Sequence, residues 1–236
     1  MRVLAIETAT EACSVALSLQ GRLLCRHEEP GRGQATRVLV LVDVLLGEAG
    51  VRLRDLDAIA FGRGPGGFTG VRLAVGVAQG LAFGAGVPVL GVSTLQALGQ
   101  RALALHASAG GVLVCSDARM GQVYTGAFRR GADGLALPAG PERVCDPEAV
   151  DLGDGAAAGW IGAGRGFAAH PALAERLTAR LAAIEVDLLP DAAAVAALAV
   201  PRIAAGEAVP ARDAAPVYLR DDVARPARPQ LPPSSF

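Results

Sequence analysis

Two short segments of this chain carry residue types that suit anion binding. Residues 62–70 form a glycine-rich loop between an apolar segment and a long stretch without acidic residues, and residues 8–11 form a turn with two threonines. A strand, a glycine loop and a helix in this order direct backbone N–H groups toward an anion at the helix N-terminus. The candidate residues are Thr8, Thr10, Gly64, Gly66, Gly67 and Thr69. Two interpretations stay open: an anion cradle, with Thr69 as the helix N-cap, or a tight structural turn.

Two common phosphate-binding loops are excluded by the residues that follow the glycines. Gly62, Gly64 and Gly67 match the spacing of the dinucleotide-binding fingerprint, but that motif also needs an acidic residue about 20 positions later. Residues 73–92 contain no Asp or Glu. A P-loop needs a Lys-Ser or Lys-Thr pair after its last glycine, whereas the basic residues nearby are Arg63 and Arg72.

The other residues that could do chemistry are too scattered to predict a reaction centre. The histidines are His27, His106 and His170, and the cysteines are Cys13, Cys25, Cys115 and Cys145, without a C-x-x-C pair. We therefore expect no metal site, no catalytic residues, and free thiols in a reducing compartment. Three acids lie beside turns, which favours solvated carboxylates over catalytic ones: Glu7, Asp117 and Asp133.

Two of the predicted helices are unusually apolar. The first spans residues 34–49 and is apolar on nearly all sides, which predicts burial on more than one side. The second spans residues 72–84 and carries Gly76, Gly80 and Gly84 at every fourth position. Glycine inside a helix costs about 1 kcal/mol relative to alanine, so these glycines predict a groove that another backbone can approach. Glycines and a proline at residues 84–88 end the helix too early for a membrane span.

The remaining segments alternate strands with helices, which predicts an α/β fold. Strands are expected at residues 2–7, 12–19, 22–28, 58–61, 87–92, 111–116 and 122–128, and further helices at residues 93–105, 171–181 and 191–205. A two-residue turn at residues 20–21 would pair Leu19 with Arg22 and place Cys25 opposite Ala16.

Charge and the N-terminal sequence bear on location. The net charge of −1 gives no bias toward nucleic acid or an anionic membrane. The first apolar segment meets Glu7 after four residues, which is too short for a signal-peptide core. We therefore expect a cytoplasmic protein that is not attached to a membrane.

Five short motifs together span most of the chain. They are ETATEACSVAL at residues 7–17, GRGPGGFTGVR at 62–72, GVSTL at 91–95, DARMGQVY at 117–124 and PVYLR at 216–220. In combination they resemble the TsaB family, also called YeaZ, of the actin-like ATPase (ASKHA) superfamily. The resemblance implies an α/β fold of two related domains with mixed sheets.

Domain bounds follow from the resemblance and the composition. The N-terminal actin-like domain, with the partner-binding helices, is expected at residues 1–105, and a more degenerate second actin-like domain at residues 106–205. Residues 206–222 would form a C-terminal segment that packs back on the first domain. Residues 223–236, rich in Pro and Arg, are expected to be a disordered tail.

The resemblance also implies a function. It is that of a non-catalytic scaffold and activator subunit, which dimerises with its paralogue, the TsaD transferase. The complex performs N6-threonylcarbamoylation of the adenosine next to the anticodon in tRNAs that read codons beginning with A. The TsaE ATPase joins the pair, the chain alone would be a homodimer, and tRNA would be reached only indirectly, through the complex.

No cofactor is expected for the isolated chain. Ala9 stands where the ATPase pattern of the superfamily has glycine. Its methyl group would crowd a phosphate that approaches the backbone. A nucleotide is therefore expected, if at all, in the assembled complex.

A partner interface is predicted where the residue pattern and the resemblance agree, on the two apolar helices. Its residues are Arg37, Leu41, Val42, Leu45, Arg72, Leu73, Gly76, Val77, Gly80, Phe83 and Gly84. The alternative is that both helices only cover their own sheet.

A second function class stays open, because the actin-like fold also serves nucleotide-dependent phosphotransferases. A peptidase is disfavoured, since the scattered histidines suggest no nucleophile or metal pair.

Overall fold

The structure, a computed structural model, describes residues 1–152 and 159–220. Within the first half of the chain, five strands form one sheet in the order β3-β2-β1-β4-β5: β1 (Arg2–Glu7), β2 (Cys13–Leu19), β3 (Arg22–Glu28), β4 (Ala58–Gly62) and β5 (Val89–Val92). β1 to β3 are antiparallel, and β4 and β5 run parallel to β1. Leu19 pairs with Arg22 and Ala16 with Cys25, so the predicted register is confirmed.

The second sheet repeats this topology. Its strands are β6 (Gly111–Arg119), β7 (Gln122–Arg130), β8 (Ala136–Pro138), β9 (Arg143–Cys145), β10 (Trp160–Ala163) and β11 (Ile184–Glu185). The order is β11-β10-β6-β7-β8, with β9 also paired to β7. β6, β7 and β8 are antiparallel, whereas β10 and β11 run parallel to β6, as β4 and β5 do to β1. The predicted actin-like α/β fold with mixed sheets is therefore confirmed.

Helices connect the strands. They are α1 (Gln34–Ala49), α2 (Phe68–Ala85), α3 (Thr94–Leu105), α4 (Arg165–Ala169), α5 (Pro171–Thr178) and α6 (Ala192–Ala204). Ser93 caps α3 and Asp191 caps α6, as their sequence positions predict. The prediction of Thr69 as an N-cap is wrong, because α2 begins at Phe68, and Gly67, two residues before Thr69, occupies the cap position without a side-chain bond.

The two halves exchange helices. α6 packs on the first sheet, where Val195 and Leu198 share a core with Val3 and Val92. α3 packs on the second sheet, with Leu95 and its neighbours against the strands β6 and β7. The sequence boundary at residue 105 stays a prediction, but in space each half is completed by a helix from the other.

The C-terminal segment lies on the first half. Val209 and Val89 exchange two backbone hydrogen bonds, at 2.8 and 2.9 Å, and the Val217 N–H donates to the Arg63 carbonyl at 2.8 Å. Residue Ala211 packs against the core beneath α1 and α2. Residues 221–222, and the tail predicted at residues 223–236, lie outside the described residues.

Both α1 and α2 cover one face of the first sheet. Their inner residues share a core with β1, β2 and β4: Val38, Leu41, Val42, Leu45, Ala74, Val75, Ala78 and Ala82. By length and composition α2 is a helix that could cross a membrane. It is instead packed along one side against the sheet, and Gly86 ends it in the left-handed conformation at φ 69°.

Candidate functional site

The glycine loop packs directly on the threonine-containing turn between β1 and β2. The Gly67 N–H donates to the Ala9 carbonyl at 2.7 Å, and the Thr8 hydroxyl donates to the Gly70 carbonyl at 2.7 Å. A Cβ on Gly66 would overlap the Ala9 carbonyl oxygen, and one on Gly70 would overlap that of Thr8. Glycine is therefore required at both positions for two backbones to meet, which is the packing expected of a structural turn.

Glu7 lies at the centre of this junction and is fully buried. Its Oε1 accepts the Ala9 N–H at 2.7 Å, and its Oε2 accepts the Thr94 hydroxyl at 3.1 Å. Burial raises the pKa of Glu7 to about 7. The expectation of a solvated carboxylate is wrong for this residue, because β4 approaches so closely that a Cβ on Gly62 would overlap the carboxyl group.

The other two acids lie nearer to solvent. Asp117 is partly exposed and forms an ion pair with Arg119 at 2.9 Å. Asp133 is exposed in a turn, where it accepts the Leu135 N–H at 3.1 Å. Neither lies in a group that could hold a metal ion: within residues 1–152 and 159–220, no three His, Cys, Asp or Glu side chains converge in that way.

A cleft of about 760 Å³ separates the two halves. Its walls include the turn at residues 9–11, the loop at 65–72, the β6–β7 turn and residues 217–220. Of the candidate anion-binding residues, Thr10, Gly66, Gly67 and Thr69 line this cleft. Thr8 is buried beside it, and the Gly64 N–H is bonded to the Thr94 hydroxyl at 3.2 Å.

Charged residues bridge the cleft between the halves. Glu11 lies 3.6 Å from Arg119 of the second hairpin and 3.7 Å from Arg165 at the start of α4. Arg165 also pairs with Glu29 at 3.0 Å. These two arginines of the second half are therefore already balanced by acids of the first.

An apolar groove runs along the outside of α1 and α2. This groove, the α1/α2 groove, has a volume of about 450 Å³ and is lined by Leu39, Arg72, Leu73, Gly76, Val77, Gly80 and Leu81. A Cβ added at Gly76, Gly80 or Gly84 would meet no atom within 4 Å in the described chain. Packing inside the chain therefore does not require these glycines, and the groove that they leave is open to solvent.

The exposed face beside the groove, the outer face, carries large apolar side chains. They are Leu39, Val40 and Val44 of α1 and Phe83 of α2, the last 82% exposed. Of the predicted interface residues, Arg72, Gly76, Gly80, Phe83 and Gly84 are exposed here, and Leu73 and Val77 are partly buried. Leucines, valines and glycines in this arrangement form a surface that a second helix can cover.

The α1 part of the predicted interface needs correction. Leu41, Val42 and Leu45 are 3%, 2% and 0% exposed, because they face the chain's own sheet. The outward residues are Leu39, Val40 and Val44, which the apolar pattern did not distinguish from the inner ones. Arg37 is half-exposed, and Glu28 of β3 holds it with two hydrogen bonds at 2.7 and 2.8 Å.

Comparison with known proteins relates the chain to proteins of tRNA modification. A family model described as "TsaD: tRNA N6-adenosine threonylcarbamoyltransferase" matches residues 28–227. The tRNA threonylcarbamoyladenosine biosynthesis protein TsaB of Escherichia coli K12 is 43% identical over 225 residues, which cover 95% of this chain and 96% of that protein. TsaB of Haemophilus influenzae is 37% identical over 238 residues, covering 94% and 95%.

Two solved structures from Pseudomonas aeruginosa share the fold over their whole length. One, described as YeaZ, is 46% identical with a TM-score of 0.83, and the match covers 92% of this chain and 99% of that chain. The other, an uncharacterized protein with similarity to peptidase YeaZ, is 47% identical with a TM-score of 0.84, covering 93% and 99%.

Proposed function

The chain belongs to the TsaB family of tRNA threonylcarbamoyladenosine biosynthesis proteins, and we propose that it is the scaffold subunit that dimerises with a TsaD-type transferase. In this role it activates the transferase that modifies the adenosine next to the anticodon in tRNAs reading codons that begin with A. It is a cytoplasmic protein and reaches tRNA through the complex. A TsaE-type ATPase joins the assembled pair.

The observation that carries the proposal is the open α1/α2 groove. A Cβ added at Gly76, Gly80 or Gly84 would contact no atom of the described chain, so packing inside the chain does not explain these glycines. Each of them costs about 1 kcal/mol of helix stability relative to alanine. Large apolar side chains flank them in solvent. A stable interface buries about 1,600 Å² in total, and two helices of 16 and 18 residues can supply much of one side.

The β1–β2 turn supports a non-catalytic role. In the proposed function the partner performs the chemistry, and this chain needs no phosphate site of its own. Ala9 is 1% exposed, and its carbonyl is occupied by the Gly67 N–H. The Ala9 N–H donates to Glu7 Oε1 at 2.7 Å, so the N–H groups of both Ala9 and Gly67 are already used inside the chain, and the Ala9 methyl group would crowd a phosphate that approaches the backbone.

Gly80→Leu tests the interface. Leucine is the better helix former, and its side chain enters open space in the isolated chain, so we expect a folded variant that no longer binds the TsaD-type partner. Binding is measured by light scattering after size-exclusion chromatography of the mixed proteins. Gly140→Leu is the matched control, because Gly140 is exposed in a loop of the second half and a Cβ there also meets no atom within 4 Å.

The same variants test self-association. We propose that the chain alone pairs with a second copy through the outer face and exchanges to the partner when it is present. Sedimentation should then detect a dimer for the wild type and for Gly140→Leu, and a monomer for Gly80→Leu. Binding of Gly80→Leu to the partner at native affinity would place the interface elsewhere.

A further inference from the structure

Arg72 lies at the junction of the α1/α2 groove and the cleft, and aromatic residues hold it in place. Its guanidinium carbon is 3.3 Å from the centroid of the Phe68 ring, and its Nε donates to the Tyr218 hydroxyl at 2.7 Å. The two rings stack with their centroids 6.2 Å apart. Backbone pairing of Val217 with Arg63 anchors the segment that carries Tyr218. The charge is therefore positioned before any partner arrives.

In residues 1–152 and 159–220, no acid pairs with the charge of Arg72. Within the described residues, none of the ion pairs includes Arg72. By contrast, Arg37 is paired with Glu28 and Arg165 with Glu29. A guanidinium has five N–H donors and matches a carboxylate in a two-bond geometry. Arg72 uses its Nε on Tyr218, which leaves its terminal nitrogens for a carboxylate.

We propose that Arg72 is the specificity-determining residue of the outer face and binds a carboxylate of the TsaD-type partner at the end of the α1/α2 groove. This inference rests on the proposed function. The apolar part of the partner packs over Gly76 and Gly80, and its acid neutralises Arg72. A helix with the same apolar face and no acid would bury Arg72 without a counter-charge, which is unfavourable.

Tyr218 is then a positioning residue. Its hydroxyl and the Phe68 ring restrict the rotamers of Arg72, so less side-chain entropy is lost when the carboxylate binds. The C-terminal segment thus contributes to the partner interface through Arg72 rather than through a large contact of its own.

The first test measures affinity for the TsaD-type partner with Arg72→Gln. We expect binding to weaken by about tenfold or more, because the partner's acid is left without its counter-charge. Raising the salt from about 0.1 to about 0.5 M should weaken the wild type more than the variant. Arg129→Gln, an exposed position on β7 of the second half, is the control and should bind as the wild type does at both salt concentrations.

The second test is a double-mutant cycle with Tyr218→Phe, which keeps the ring and removes the hydroxyl. We expect weaker binding in the wild-type background and no further loss in the Arg72→Gln background, because the hydroxyl acts through Arg72. Equal losses in both backgrounds would contradict the positioning role of Tyr218.

The outcomes separate this inference from the proposed function. If Gly80→Leu abolishes binding while Arg72→Gln binds the partner like the wild type, the function stands and the role of Arg72 is overturned. If the wild type does not bind the partner at all, both the proposed function and the role of Arg72 are overturned. If Arg72→Gln weakens only self-association, the occupant is a second copy, whose exposed Asp43 on α1 offers the acid, and the assignment to the partner is overturned.

Discussion

At the scale of single residues, the prediction of a solvated carboxylate fails at Glu7. It precedes a turn, and such a position favours a solvated carboxylate. The residues that bury it, Gly62 and Thr94, are far away in the sequence. Burial of this kind depends on the approach of separate elements, so local patterns cannot predict it.

Buried Glu7 gives the stability of the chain a dependence on pH. Burial raises its pKa from 4.5 in the unfolded chain to about 7 in the folded one. Below pH 4.5 both states carry the proton. Between pH 4.5 and about 7 the unfolded chain ionises first, so the free energy of unfolding falls as the pH rises. Above this window the loss is complete and is on the order of 3 kcal/mol.

Glu7→Gln should remove that dependence. A neutral amide resembles the protonated carboxyl, so the variant should unfold at higher urea concentration than the wild type at about pH 8 and at a similar one at about pH 4.5. Urea unfolding across this range provides the measurement. Glu175→Gln, at an exposed position of α5, should leave the pH profile unchanged. A Glu7→Gln profile parallel to that of the wild type would argue against a buried, protonated Glu7.

At the scale of elements, the sequence predicts β1 to β7, the five longer helices and the first hairpin register, because each depends on neighbouring residues. It misses the short strands β8 to β11 and the short helix α4, whose two to five residues are too few to show a periodic apolar pattern. It also identifies the outer side of α2, since Gly76, Gly80 and Gly84 mark one side of that helix. It cannot orient α1. Leucine and valine cover that helix all round, and only its packing on the sheet distinguishes buried Leu41 from exposed Val40.

The glycines of α2 serve two different purposes, and alanine substitution should separate them. Gly70 lies against the Thr8 carbonyl, where a Cβ would overlap backbone, while Gly76 faces open space. We expect Gly70→Ala to destabilise the chain by about 2 kcal/mol or more and Gly76→Ala to stabilise it by about 0.5–1 kcal/mol. The measurement is urea unfolding at two protein concentrations, because self-association adds to apparent stability. Equal effects at both positions would contradict this division.

At the scale of the whole molecule, the two halves are joined by helices that each pack on the sheet of the other half. α3 and α6 each complete the core of the other half. The C-terminal segment extends this connection, since Arg220 donates to the Gln122 side chain of the second half at 2.7 Å while Tyr218 contacts Arg72 of the first. Sequence patterns do not predict such exchanges, because each helix is amphipathic in the same way whichever sheet it covers.

The cleft between these halves provides the last prediction, which concerns ATP. The phosphotransferase alternative requires the isolated chain to bind ATP with magnesium in the cleft. We expect no saturable binding in calorimetric titration. The Ala9 methyl group would crowd a phosphate, the Gly67 N–H is already hydrogen-bonded to the Ala9 carbonyl, and Glu11 pairs with Arg119 and Arg165 across the cleft. Tight binding that Thr10→Val removes would favour the phosphotransferase, since Thr10 lines the cleft and the substitution keeps the shape of its side chain. Binding that arises only after the TsaD-type partner is added would instead assign the nucleotide to the assembled complex.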